Sequence, residues 1–286
     1  MDFRNYLKIA RNAIQGKVLT LDYKWKPDSR ELESQVLNQK LHAGLLQNLD
    51  YFNRFIPPML SYLPVFKSIP ATRGVGLEDV YWQNDYLPGL DLVFLYTLVR
   101  EYKPLNIVEI GSGHSTAVMR KAIGDGHLNT KVSCIDPQPR RKLKSLADEV
   151  IPFALEDLKT LELFSRLEPG DILFFDGSHI SFPNSDVTVF FMEILPMLAP
   201  GVIVQIHDIY LPFDYPIEMA LRGYNEQYLL AQLLRFGWPD KIEILFPAFW
   251  VSGQDSFLKK MTVGLWDHLP NEIEKHGGSF WFTLKH

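Results

Sequence analysis

Cysteine is almost missing from this chain: Cys134 is the only one among 286 residues. An intrachain disulfide and a cysteine-built zinc cluster are therefore excluded. Cys134 sits within Val132-Ser133-Cys134-Ile135, and its apolar flanks point to a buried structural thiol, not a nucleophile. Long hydrophobic runs are missing too. No stretch reaches the roughly 18 apolar residues of a membrane span. The opening MDFRNYLKIARNAIQGK has no continuous apolar core of the kind a secretion signal needs. A cytoplasmic protein without a membrane span is expected. An excess of positive charge is likewise absent, the net charge being -5, which gives no general attraction to nucleic acid. The one basic cluster, Arg140, Arg141, Lys142 and Lys144, reads as a solvated helix face. Internal repeats and low-complexity tracts are also lacking.

What is there suits a large core: 47% of residues are hydrophobic and 22% charged. Residues 1–80 read as a mainly helical N-terminal extension. Within it, Val36, Leu37, Leu41, Leu45, Leu46 and Leu49 fall at helical spacing between Glu31 and Phe55, before a loop-like Pro57 to Arg73. Residues 81–286 form the main domain. There the rhythm becomes strand, turn, helix. Asp91 to Tyr102 reads as a helix that Pro104 ends. Thr116 to Ile123 reads as a second helix, followed by a Gly-Asp-Gly turn. Strands are expected at 107–110, 131–135, 150–153, 171–175 and 202–206, with two more at 241–246 and 279–284. Unbroken apolar strands separated by helices indicate a doubly wound α/β fold with a mostly parallel sheet. Several of these strands end in a glycine or a carboxylate, so polar residues gather at the C-terminal edge, where such sheets bind ligands.

The sharpest feature is Glu109-Ile110-Gly111-Ser112-Gly113-His114-Ser115-Thr116, between a strand and a helix. Its glycines permit a tight turn and close approach of a ligand, and Ser115 or Thr116 can cap the helix. The third glycine of a dinucleotide fingerprint is replaced by Thr116. Glu109 places a carboxylate before the glycines, which would repel a diphosphate and attract the ammonium of S-adenosylmethionine. Such a pair interacts by about 4 kcal/mol at 4 Å and an effective dielectric near 20, before desolvation. Asp136 ends the second strand where ribose hydroxyls would be bound. Glu156 and Asp157 either face an adenine amine or are plain helix-start carboxylates.

The segments VEIGSGHST, CIDPQP, DILFFDGSHI, LAPGVIVQIHDIYLPFDYP, NEQYLLAQLL and GGSFWF together resemble bacterial class I methyltransferases of methyltransferase family 24, from about residue 85 to the C-terminus. The resemblance implies a Rossmann-like sheet of seven strands, the last antiparallel. It also implies S-adenosylmethionine as cofactor, with Glu109, Gly111, Gly113 and Asp136 in the roles above; Ser112, Ser115 and Asp176 complete the expected contacts. Relatives associated with glycosylation or natural-product tailoring suggest O-methylation of a hydroxyl on a small-molecule or glycan acceptor. The competing readings are a non-catalytic S-adenosylmethionine-binding or assembly protein and an NAD-dependent oxidoreductase. Self-association is left open.

A hydroxyl acceptor must lose its proton, to a general base or to a metal that acidifies it. Asp176, His179, His207 and Asp208 are the candidates. Asp176 and Asp208 match two positions at which similar metal-dependent enzymes hold magnesium. His207 stands where such relatives carry an acidic ligand, and magnesium prefers oxygen, so the favoured expectation is His207 or His179 as base with Asp208 orienting it. Tyr210, Asp214, Tyr215 and Tyr224 fall in the loop after the fifth strand, as sugar-stacking or packing residues, and Glu226 is a further candidate to reach the site.

Overall fold

Short runs of β-branched and aromatic residues supply the strands: β1 Asn106–Ile110, β2 Lys131–Ile135, β3 Glu149–Ile151, β4 Ile172–Phe175, β5 Ile203–Ile206, β6 Ile242–Pro247 and β7 Phe280–Leu284. The protein is seen in a computed structural model that describes residues 11, 14, 21–32, 36–74, 80–139 and 143–285. The expected strands all form, and the sheet runs β3-β2-β1-β4-β5-β7-β6. β1 to β5 are parallel, while β7 enters antiparallel between β5 and β6. This is the seven-stranded order of class I methyltransferases. β1 lies between β2 and β4, so the chain winds outward in both directions from it. The crevice left at that reversal is the natural ligand site.

The helices are α1 Val36–Gln47, α2 Leu49–Asn53, α3 Ile56–Ser61, α4 Leu63–Ser68, α5 Gly89–Tyr102, α6 His114–Gly126, α7 Glu162–Ser165, α8 Asp186–Val189, α9 Ile217–Leu221, α10 Glu226–Gly237, α11 Ala248–Ser252 and α12 Asp255–Gly264. α8 runs on through a π turn, Phe190–Ile194, into Leu195–Met197. Among the described residues no helix is long and apolar enough to cross a membrane.

α5 is buried from Gly89 to Val99, as expected of a helix that is apolar on every side. Phe94 stacks on Phe246 with ring centroids 4.0 Å apart, and Phe55 of the N-terminal segment meets both rings edge-on. Burying each such ring contributes about 1.5–3 kcal/mol. The helices between Val36 and Ser68 thus share one hydrophobic cluster with the sheet.

Two sequence expectations are corrected. The stretch from Pro57 to Arg73 is not a loop throughout, because it contains most of α3 and all of α4. Each carries proline in its first turn, where the missing N–H has no helical partner to lose. The Gly-Asp-Gly turn belongs to α6, which ends one residue later at a left-handed His127. The opening segment MDFRNYLKIARNAIQGK lies almost wholly outside the described residues, as do Arg140, Arg141 and Lys142.

Candidate active site

β1 leads straight into the glycine loop, and Gly111 is needed there on two counts. Its φ is +77°, and a Cβ would lie 2.1 Å from the Asp176 carbonyl oxygen. Glu109 lies beneath the loop and is completely buried. Its carboxylate accepts hydrogen bonds from Ser115 Oγ at 2.5 Å, Thr116 Oγ1 at 2.6 Å and Cys134 Sγ at 3.2 Å. Thr116 Oγ1 also accepts from the Gly113 N–H at 3.0 Å. Burial pushes the Glu109 carboxyl up to about 7, against the pull of those three donors. Cys134 is the buried structural thiol expected of it, its pKa raised by burial.

Above the loop, at the C-terminal edge of the sheet, opens a cleft of about 730 Å³. Gly111, Ser112, Asp136 and Glu156 line one part of it. Asp136 accepts from Ser112 Oγ at 2.5 Å and from the Gln138 N–H at 2.7 Å. The other part is lined by Asp176, His179, His207, Asp208, Met219, Arg222 and Tyr224. Asp85, Asp136, Glu156, Asp176, Asp186 and Asp208 give the wall six carboxylates. A smaller cavity of about 170 Å³ adjoins it, with Gly113 and Ser115 in its wall.

The two histidines sit in a network of carboxylates drawn from distant parts of the chain. His179 Nδ1 meets Glu226 Oε1 at 2.5 Å, and its Nε2 lies 3.4 Å from Asp176 and 3.6 Å from Asp208. Tyr224 stacks on the imidazole at 4.4 Å. His207 Nδ1 lies 3.3 Å from Asp208 and 3.9 Å from Asp176. On its other side Nε2 faces Asp91 at 3.4 Å, an ion-pair separation without hydrogen-bond geometry.

Burial works against charging either ring. For His179 the carboxylates of Glu226, Asp176 and Asp208 outweigh it and raise the pKa to about 9. For His207, Asp176, Asp208 and Asp91 raise it well above the ordinary value. Burial would also raise Asp208, but His207 and His179 bring it down to about 2. Burial lifts Glu226 to about 7 despite His179. Four carboxylates, Asp91, Asp176, Asp208 and Glu226, thus face the two imidazoles. His179 and Asp208 both adopt left-handed backbone, with φ of 63° and 53°, a conformation that is tolerated at functional sites.

Residues 108–209 match the family model described as a methyltransferase domain. The chain carries a methyltransferase domain. Among solved structures this domain is similar to an S-adenosylhomocysteine-bound methyltransferase, PaMTH1, of Podospora anserina. Identity is 14% over 68% of this chain and 78% of that one, with a TM-score of 0.41. It is also similar to an O-methyltransferase from Bacillus cereus in complex with SAH, at 14% identity over 89% and 100% of the two chains and a TM-score of 0.38. A putative methyltransferase from Thermobifida fusca is 16% identical over 70% and 84%, with a TM-score of 0.36. No curated protein matches the chain. The strand order of the chain itself, not these superpositions, defines its fold.

Within the methyltransferase domain the sequence candidates divide. Gly111, Ser112, Asp136, Glu156, Asp176, His179, His207 and Asp208 meet in the cleft. Gly113 and Ser115 face the side cavity. Asp157, at the end of a 3-10 turn, does not line the cleft. Glu109 does not line it either; it holds the loop from below. The negative wall expected of it is supplied by the other carboxylates. Glu226, not Asp208, makes the short contact that orients His179.

Tyr215 is buried packing, whereas Tyr224 covers His179. Tyr210 packs edge-on against Phe249. Asp214 accepts from Arg30 and Tyr228. Asp91 was missed as a site residue. It is a fully buried carboxylate in the buried, mostly apolar stretch Gly89 to Val99 of α5, and it accepts from the Gly278 and Ser279 N–H groups at 2.6 and 3.1 Å. A charge that no helix face can expose was the available signal.

Magnesium does not fit the Asp176–Asp208 pair. Both carboxylates already face the two imidazoles, and His207 offers nitrogen where a hard cation needs oxygen. Among the described residues no group of three or more His, Cys, Asp or Glu side chains is arranged to hold a metal ion.

Proposed function

We propose that this protein is an S-adenosylmethionine-dependent methyltransferase that methylates a hydroxyl oxygen on a sugar, glycoconjugate or natural product. One observation carries the reading. A glycine loop with a hydroxyl-accepting Asp136 shares its cleft with a carboxylate-held imidazole, His179, whose Nε2 is turned toward that cleft. Gly111, Ser112, Asp136 and Glu156 suit the nucleoside part of the cofactor, and the six wall carboxylates favour a cation over a diphosphate. When bound, S-adenosylmethionine supplies an electrophilic methyl group on a positively charged sulfur.

The chain's own task is then to align an acceptor and remove its proton. Holding the two partners in line lowers the barrier by itself. Glu226 fixes the His179 ring through Nδ1, so that Nε2 is the atom to take the hydroxyl proton. His179 is an imidazolium at neutral pH in the cofactor-free protein. A further positive charge in the cleft lowers its pKa toward the range in which it accepts a proton. His207, held between Asp91 and Asp208, balances charge on the far wall.

The test is a melting-temperature screen with S-adenosylmethionine, S-adenosylhomocysteine and NADH, followed by a methyl-release assay on hydroxyl-bearing sugars and glycosides. At about 100 times its dissociation constant a true ligand should stabilise the fold by about 2.7 kcal/mol. Stabilisation by NADH alone would overturn the cofactor assignment. Methyl transfer only to nitrogen or carbon acceptors would overturn the hydroxyl.

A further inference from the structure

We infer that Arg73 binds the amino-acid carboxylate of S-adenosylmethionine, in the side cavity between the N-terminal segment and the glycine loop. The inference rests on the cofactor assignment above. Tyr86, Ser112 and Asp176 line both the side cavity and the main cleft, so the two adjoin. The side cavity has the bulk of a small amino-acid moiety, about 170 Å³. Its wall carries one arginine, Arg73, and one carboxylate, Asp176. That is the charge pattern of a zwitterion. The main cleft instead presents Asp136 and Glu156, acceptors for hydroxyl and amine groups. The cofactor is divided in the same way, into a nucleoside and an amino acid.

The backbone around Arg73 is anchored to the loop it serves. The Trp82 N–H donates to the Pro70 carbonyl at 3.0 Å, and the Gln83 N–H to the Ala71 carbonyl at 2.8 Å. These bonds pin the two stretches flanking the segment side by side. Tyr81 then packs edge-on against His114 at 4.8 Å. His114 is the first residue of the 13-residue helix α6, whose N-terminus lies at this cavity and adds a favourable field for an anion. Arg73 is exposed, and among the described residues no ion pair holds its guanidinium. A guanidinium suits a carboxylate because its fork presents two parallel N–H donors. Asp176 takes the ammonium end, the part that Glu109 is too deeply buried to play.

Calorimetry on the full chain can test this with two ligands. S-adenosylhomocysteine carries the amino acid, and 5′-methylthioadenosine has the same nucleoside and sulfur without it. Arg73→Gln should weaken S-adenosylhomocysteine by about tenfold and leave 5′-methylthioadenosine unchanged, with Arg73→Lys between wild type and Gln. Equal affinity of wild type and Arg73→Gln for S-adenosylhomocysteine would overturn the inference. So would an equal loss for both ligands. Failure of wild type to bind either ligand would instead overturn the cofactor assignment beneath it.

Discussion

The glycine loop and the histidine–carboxylate cluster lie side by side at the same sheet edge, yet they are built on opposite plans. Glu109 finds partners six, seven and 25 residues away, and its two oxygens are satisfied. The cluster draws Asp91, Asp176, His179, His207, Asp208 and Glu226 from remote segments. It holds two residues in left-handed backbone and leaves His207 Nε2 and Glu226 Oε2 without hydrogen bonds. The loop rests on a buried carboxylate whose hydrogen bonds are satisfied. The cluster keeps charge under tension, as proton-transfer sites do. In the proposed function the nucleoside falls to the quiet region and proton transfer to the charged one, with Asp176 shared between them.

That contrast can be attacked first at the charged side. His179→Ala should lower kcat by about 10²- to 10⁴-fold while S-adenosylhomocysteine affinity stays near wild type, since the ring lies in the half of the cleft away from Asp136 and Glu156. An equal loss of affinity and turnover, measured by calorimetry and initial rates, would erase the division. In wild type kcat/KM should rise with pH as the imidazolium, at about 9 in the free protein, gives up its proton.

Asp91→Ala should come next in size. It removes a buried partner of His207 and the acceptor of two backbone N–H groups. The expected cost is about 3–5 kcal/mol in urea unfolding. A cost below about 1 kcal/mol, the scale of an exposed pair, would mean that Asp91 bears little on the cluster.

The quiet side is sharpened by pH. The folded pKa of Glu109, about 7, lies above the ordinary 4.5, so the native state holds a proton that the unfolded chain has lost. Its stabilising contribution is complete below 4.5 and falls as pH rises through about 7, by up to about 3 kcal/mol. His179 acts with the same sign between 6.5 and about 9. Stability in urea should therefore decline from pH 5 to pH 9, and Glu109→Gln should reduce the lower half of that decline, to which Glu226 also contributes. A wild-type profile rising over this range would refute the assignment. Ser115→Ala is the smallest test: it deletes one of three donors to Glu109 and should cost about 1 kcal/mol, with no change in the pH dependence of kcat.

The parallel strands and the glycine loop were legible because both are local: an apolar run of four or five residues, or a glycine between strand and helix, carries its own instruction. α3 and α4 were not, because their prolines read as breakers until their place in the first turn is known. Asp91 was hidden for a related reason, since an acidic residue in a first turn has an ordinary capping explanation.

From its residues alone this chain committed itself to seven strands, a tight turn at Gly111 and a carboxylate after β2, because backbone sterics and hydrophobic burial act over a few neighbours. Which way each acidic side chain faces was settled only by packing. Glu109 went under the loop, while Asp91 and Glu226 went to the two histidines, because burial depth and charge partners depend on segments far apart in the chain. No local pattern encodes those distances.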